Sequence, residues 1–159
     1  MSRIIKLENI ADFNASAINK HDSFSEINYL DTGSITRNVI DSYQNLKVGI
    51  DGIPSRAKRK VKDKTIIYST VRPNQEHFGF MVNPLDNLIV STGFCTIDIN
   101  DDGIDPKYIY YLITQPHITV YLHTIGMNSV SAYPSINPSD IANLNFQIPE
   151  FEEQQKIAS

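Results

Sequence analysis

Apolar residues in the first two thirds of the chain come in short bursts separated by groups of turn-forming residues. Ile27-Asn28-Tyr29-Leu30 is one burst, and it stops at Asp31-Thr32-Gly33-Ser34, whose side chains favour turns over sheet pairing. Thr65 to Val71 is dense in β-branched and aromatic residues and predicts a strand. Phe78–Val82, Leu88–Val90 and Phe94–Ile99 follow, with Asn83-Pro84 and Thr92-Gly93 in the spacers between them. Their spacing, about ten residues, predicts an antiparallel or mixed sheet.

The final third changes period. Asp105-Pro106 supplies a cap followed by proline at the first helical position, and Ile109, Leu112 and Ile113 then fall on one helical face. Pro116 predicts a break, after which Ile118, Leu122 and Ile125 lead to a stop at Gly126. Asn137-Pro138 opens a short helix carrying Ile141 and Leu144. Phe146 to Pro149 reads as extended, and residues 150–159 have helix-favouring composition. Strands followed by helices predict an α+β domain: a mixed, largely antiparallel sheet with helices in the C-terminal third, ending at the start of a long helix.

Composition narrows the class. A length of 159 residues suits one domain, and 41% apolar against 20% charged residues excludes wholesale disorder. No apolar run approaches the roughly 18 to 20 residues of a membrane span, and Met1 to Lys6 lacks the apolar stretch of a signal peptide. The single cysteine, Cys95, cannot make an internal disulfide. The expectation is a soluble, cytoplasmic domain with no membrane partner.

Charge changes the picture more than composition does. The net charge is −4, yet seven of the fourteen Lys and Arg residues fall within residues 54–72, against Asp63 as the only acid there. Residues 73–159 hold only Lys107 and Lys156 as cations, with ten acids. A local basic block can bind phosphate while the acidic remainder suppresses indiscriminate adhesion. Arg56, Lys58, Arg59, Lys60 and Lys62 are therefore the candidate phosphate-facing surface, on a loop or strand edge. Were this segment a strand, Arg56, Lys58, Lys60 and Lys62 would share a face and Arg59 would matter less. The bland alternative is a solvated basic face or the docking site of an acidic protein.

Two further loops carry side chains that read base edges. Arg72-Pro73-Asn74-Gln75-Glu76-His77 holds Arg, Asn and Gln, which pair bidentately with purines. The 126–133 loop is polar and flexible, with Ser129 and Tyr133 as its candidates. Arg72, Asn74, Gln75, Ser129 and Tyr133 are thus the expected base readers.

Catalytic signals are missing. There is no Gly-x-Ser-x-Gly elbow, no phosphate-binding Gly-x-x-x-x-Gly-Lys loop and no Gly-x-Gly-x-x-Gly. Cys95 sits in a strand pattern and reads as a small buried hydrophobe. The four histidines lack the partners or spacing of a zinc site, and His117 and His123 read as exposed polar residues. Asp98 to Gly103 matches half of a calcium loop, but its twelfth position is Ile109 where a bidentate Glu is needed. It reads as an acidic turn. No catalytic residue, metal site or cofactor is expected.

The C-terminal third carries a more specific pattern. Ile136-Asn137-Pro138-Ser139-Asp140-Ile141 opens a short helix, Phe146-Gln147-Ile148-Pro149 is extended, and Glu152-Glu153-Gln154-Gln155-Lys156-Ile157-Ala158 opens a helix. This succession resembles the end of a target recognition domain in the DNA specificity subunits of type I restriction–modification systems. Tyr29 to Ile35, the basic segment before residues 65–71 and the region from Tyr108 to Gly126 also look like that family, so the resemblance spans nearly the whole chain. It implies a target recognition domain over 1–149 and the start of a spacer helix over 150–159. It also implies sequence-specific binding of double-stranded DNA, at one half of a bipartite site. The partners implied are a methyltransferase subunit and, through the complex, a restriction subunit that translocates and cleaves. The chain contains no Pro-Pro, hence no Asn/Asp-Pro-Pro-Tyr/Phe motif, and is not expected to transfer methyl groups itself. Similar recognition domains also end single-chain restriction methyltransferases, so a fragment of such an enzyme is the alternative reading, beside a protein-interaction domain with a basic loop.

Overall fold

The computed structural model describes residues 2–159. In chain order the elements begin with β1 (Arg3–Lys6), β2 (Ala11–Phe13), β3 (Glu26–Leu30), β4 (Ile35–Thr36), β5 (Val39–Ile40), β6 (Gln44–Lys47) and β7 (Ala57–Lys60). They continue with β8 (Ile66–Ser69), β9 (Phe78–Phe80), β10 (Leu88–Ser91), β11 (Phe94–Ile99), α1 (Pro106–Ile113), α2 (Pro116–Met127), α3 (Pro138–Ala142), β12 (Asn145–Ile148) and α4 (Phe151–Ala158).

Two four-stranded sheets form the body. One has the order β2-β11-β8-β9 and is antiparallel throughout; the other has the order β6-β3-β10-β7, with β3 and β10 parallel. The period of two along each strand decides what each sheet covers. Ile66, Tyr68, Cys95 and Ile97 point toward the helices and pack with Ile109, Ile113 and Leu122. Ile67 and Phe94 point the other way, onto Leu30, Leu88 and Val90 of the second sheet. The far face of that sheet presents Ile27, Tyr29 and Ile89, which Ile18 and Phe24 help to cover. The result is three layers, helices on sheet on sheet. The central strands are apolar at nearly every position because both of their faces are buried. Burying each such Ile or Phe side chain contributes about 1.5–3 kcal/mol.

The helices follow their capping chemistry. Asp105 accepts from the Lys107 N–H at 2.9 Å to start α1, with Pro106 at its first position. Pro116 starts α2 afresh, and Asn137 with Asp140 forms a reciprocal cap on α3. Gly126 does not end α2. The helix runs on to Met127, and Gly126 lies against the backbone of Ser135, where a Cβ would come within 3.2 Å of its nitrogen.

The chain's two ends meet. β12 pairs antiparallel with β1, and α4 packs against α1. Gln154 on α4 is 1% exposed and accepts from the Asp105 N–H at 2.9 Å. Its amide group also donates to the carbonyls of Pro149 and Gly103, at 2.9 and 3.3 Å. The expected α+β class and mixed, largely antiparallel sheet are as the chain folds. β1, β2, β6 and the β4–β5 hairpin are additional strands that the hydrophobic pattern did not disclose.

Candidate nucleic-acid interface

The basic segment is an edge strand whose cations have different fates. β7 lies at the border of the second sheet, its outer side capped by residues 16–18 through Ile18 N–H to Lys58 O at 2.8 Å and Lys60 N–H to Ser16 O at 3.0 Å. Its register with β10 shifts at Val90/Ser91, so simple alternation does not run through the segment. Lys60 sits opposite Ile89 and turns back onto the protein: its Nζ lies 2.5 Å from Asp22 Oδ1 and 5.9 Å from the centroid of the Phe24 ring. That ammonium, with the Asn19 N–H, holds the Asp22 carboxyl below its usual value of 3.8. Arg59 pairs with Val90 and is half-buried, its Nε enclosed without a hydrogen-bond partner among the described residues. Arg56, Lys58 and Lys62 remain exposed. They are spread out, since the six residue steps from Arg56 to Lys62 span up to about 20 Å when extended.

A second group converges at one end of the sheets. The Arg56 carbonyl accepts from the Thr92 N–H at 2.9 Å, and the Gly93 carbonyl accepts from the Thr70 N–H at 2.9 Å. Thr70 in turn accepts from Ile136, and the Arg72 N–H donates to Pro134, both at 2.8 Å. Gly93 is needed here: a Cβ would come within 2.8 Å of the Thr32 side chain, and the Arg56 guanidinium lies just beyond at 3.8 Å. These tethers set three loops edge to edge. Arg72 has φ 46°, in the left-handed region, and its guanidinium carbon lies 5.6 Å from the centroid of the exposed Tyr133 ring. Asn74 and Gln75 follow on an exposed 3-10 turn. Four of the expected base readers therefore stand together. Ser129 differs, being half-buried with its Oγ enclosed as the chain leaves α2.

The β4–β5 hairpin joins the same end, and nothing in the charge pattern pointed to it. Arg37 and Asn38 form its tip, at φ 45° and 65°. The tip is held by Arg37 N–H to Glu76 O, Asn38 N–H to Phe78 O, and Asn38 Oδ1 accepting from Phe80 N–H. His77 Nδ1 reaches the Ile35 carbonyl at 2.7 Å, so this histidine fastens the hairpin to the loop. The signal in the sequence is the pair of two-residue β-branched steps, Ile35-Thr36 and Val39-Ile40, around Arg37-Asn38, without the glycine such turns favour.

Other candidates resolve into the scaffold. Cys95 is fully buried, and burial pushes its thiol up to about 12; burial likewise carries the Tyr68 and Tyr110 hydroxyls up to about 12. Burial also raises Tyr29, whose hydroxyl lies near Asp31 and Ser91. His117 is exposed, whereas His123 is half-buried with Nδ1 enclosed, because α2 turns it toward the loop carrying Asn74. In the acidic turn Asp98 accepts from the Thr65 hydroxyl, while Asp101 caps Gly103 and faces Arg3 at 3.5 Å. Among the described residues no group of three His, Cys, Asp or Glu side chains could hold a metal ion, and no helix is long and apolar enough to cross a membrane.

Comparison with known proteins bears on this arrangement. Residues 3–159 match the family described as "Type I restriction modification DNA specificity domain". The chain is 29% identical over 147 residues to the type I restriction enzyme HindI specificity subunit of Haemophilus influenzae, covering 92% of this chain and 30% of that protein. Among solved structures it is similar to the HsdS subunit from Thermoanaerobacter tengcongensis, with a TM-score of 0.82 and 25% identity over 99% of this chain and 40% of that one. A structure described as showing complex assembly and conformational transition of the type I R-M system is similar too, with a TM-score of 0.81 and 27% identity, over 98% of this chain and 40% of that one. The chain thus spans about a third of the curated relative's length.

Proposed function

The chain belongs to the type I restriction–modification DNA specificity domain family, and from that membership we propose that it is a target recognition module that binds double-stranded DNA in a sequence-specific way. It reads one half of a bipartite site and directs a methyltransferase subunit, and through the complex a restriction subunit, to that site. Catalysis belongs to those partners. The complex works in the cytoplasm, where its substrate DNA lies. Residues 1–149 are the recognition domain and 150–159 the opening of the spacer helix, seated on it by Gln154.

The observation that carries this reading is the convergence of loops around Arg72 and Tyr133. Exposed side chains with base-pairing chemistry stand there on a framework tied by backbone hydrogen bonds. Rigid presentation is what base readout requires, because hydrogen bonds to base edges are short and directional. Arg56, Lys58, Arg59, Lys60 and Lys62 contribute the sequence-independent phosphate term, with Arg56, Lys58 and Lys62 free to make it in the resting fold. Base reading falls to Arg72, Asn74, Gln75, Ser129 and Tyr133, with Ser129 acting from the loop base.

Co-expression with a type I methyltransferase subunit, followed by co-purification and methylation-site mapping, tests this. The expected result is capture of the methyltransferase and modification at one defined sequence that changes when Arg72 or Asn74 is replaced. Capture without a sequence that depends on these residues would overturn the assignment of the readers. Failure of the chain to direct methylation to any sequence would overturn the function.

A further inference from the structure

Between the β4–β5 hairpin, the 72–77 loop and α2 lies a cleft of about 400 Å3, lined by Arg37, Asn74, Glu76, Thr119, His123 and Thr124 among others. Its walls are unusual in two ways. Arg37 and Glu76 both hold left-handed backbone conformations, at φ 45° and 58°, as does Arg72 next to them at 46°. Such φ values are uncommon outside Gly, Asn and Asp, and residues held there cluster at functional sites. Turn chemistry would place Asn or Gly at the Arg37 position, so an arginine there is unfavourable locally. The floor is also polar. Thr119 is 7% exposed with its hydroxyl beside that of the buried Tyr68, and the enclosed Nδ1 of His123 has no hydrogen-bond partner among the described residues. An enclosed ring nitrogen of this kind can exchange a hydrogen bond with a group that enters the cleft.

We propose that this cleft is a second base-reading site, in which Arg37 donates to a guanine edge and Glu76 accepts from the amino group of a cytosine or adenine. The inference rests on the chain being a DNA target reader. Asn74 lines the cleft and neighbours Arg72, so one stretch of duplex can meet both groups. The chemistry favours a base edge over a phosphate, because Glu76 would repel a phosphate anion, whereas a base pair presents donors and acceptors together. Arg37 makes no ion pair among the described residues, so its fork is available.

The test is selection from a randomised duplex pool by the chain and by Arg37→Lys, Glu76→Ala and Arg56→Ala variants, with affinity followed over a salt series and folding checked by thermal melting. Arg37→Lys keeps the charge but loses the bidentate fork. It is expected to lose about 5- to 150-fold preference at one guanine, with the salt slope unchanged. Glu76→Ala is expected to relax preference at one C- or A-containing pair. Arg56→Ala should only weaken all sequences and shallow the slope. Unaltered preference in both Arg37→Lys and Glu76→Ala overturns this inference while leaving the function standing. So does uniform tightening by Glu76→Ala, which would mark a phosphate contact. A parent chain that selects no sequence overturns both.

Discussion

The basic edge strand and the loop end of the sheets hold nearly all of the candidate interface, and they are built on opposite plans. The segment around β7 concentrates charge in sequence and disperses it in space: Lys60 is drawn onto Asp22, Arg59 is half-enclosed beside Val90, and the exposed Arg56, Lys58 and Lys62 are strung along an edge. The loop end takes single residues from positions 37, 72, 74, 76 and 133 and gathers them through backbone hydrogen bonds. Density of charge along a chain therefore measures electrostatic pull and not readout. The two tasks call for different mechanics. A phosphate contact tolerates a mobile lysine, whereas a base contact needs a side chain whose backbone does not move.

The sharpest way to separate the regions is to silence one. Replacing Arg56, Lys58 and Lys62 together by Ala should remove most non-specific affinity. If each of the three neutralises a phosphate, log K falls with log salt at a slope of about −2.7 in the parent chain. The triple variant should lose most of its salt dependence yet keep its ranking of sequences. Anisotropy titrations at several salt concentrations measure both, and a changed ranking would mean that the strand reads bases.

The opposite break is Gly79→Val. Valine suits a strand, but its Cβ would come within 2.5 Å of Ile35 Cδ1 and 3.1 Å of Asn38 Oδ1. Ile35 is fully buried, so the hairpin must shift. The expected cost is about 1–3 kcal/mol, seen as a lower melting temperature. Sequence preference should weaken with the salt slope intact, because the hairpin and the 72–77 loop share their hydrogen bonds.

Within the loop end, Arg72→Ala should relax preference at a single base pair by about 1–3 kcal/mol. Tyr133→Ala should do part of the same damage indirectly, since the ring holds the guanidinium. Binding to variant duplexes, scored pair by pair, checks both. Tyr133→Ala without effect at the Arg72 position would show the two act independently.

What could be read in advance follows the same division. Strands buried on both faces and helices opened by proline announce themselves, because burial and capping leave dense local signals: β8, β11, α1 and α3 fall where the pattern puts them, within the usual drift of element ends. β1 was hidden because only Ile5 of its four residues is buried, its partner β12 lying about 140 residues away. The hairpin was hidden because its turn breaks the residue preference that would reveal it. Of the proposed site, Arg72, Asn74 and Tyr133 could be nominated from residue type alone. Arg37 and His123 could not, since what brings them together is a cleft formed by three separate segments.

The smallest effect tests how far β7 is held in check by its own fold. Lys60 is the one cation of the strand with an ion-pair partner among the described residues, and the Asp22 carboxyl opposite it is kept below 3.8 by that ammonium. A carboxylate depressed in this way adds stability that is present above its unfolded value and is lost as pH falls through the lower folded value. The pair is therefore intact at any pH where DNA binding is measured. Asp22→Asn breaks it without removing the hydrogen-bonding group that caps Asn19. Lys60 is then free to turn outward, and the salt slope should steepen by up to about 0.9, with binding tightened equally for every sequence. Lys60→Ala in the parent should leave the slope nearly unchanged, and in the Asp22→Asn background should restore it. If Lys60→Ala already flattens the slope in the parent, the ammonium leaves Asp22 for phosphate on binding, and the edge strand is a more willing DNA surface than its resting structure indicates.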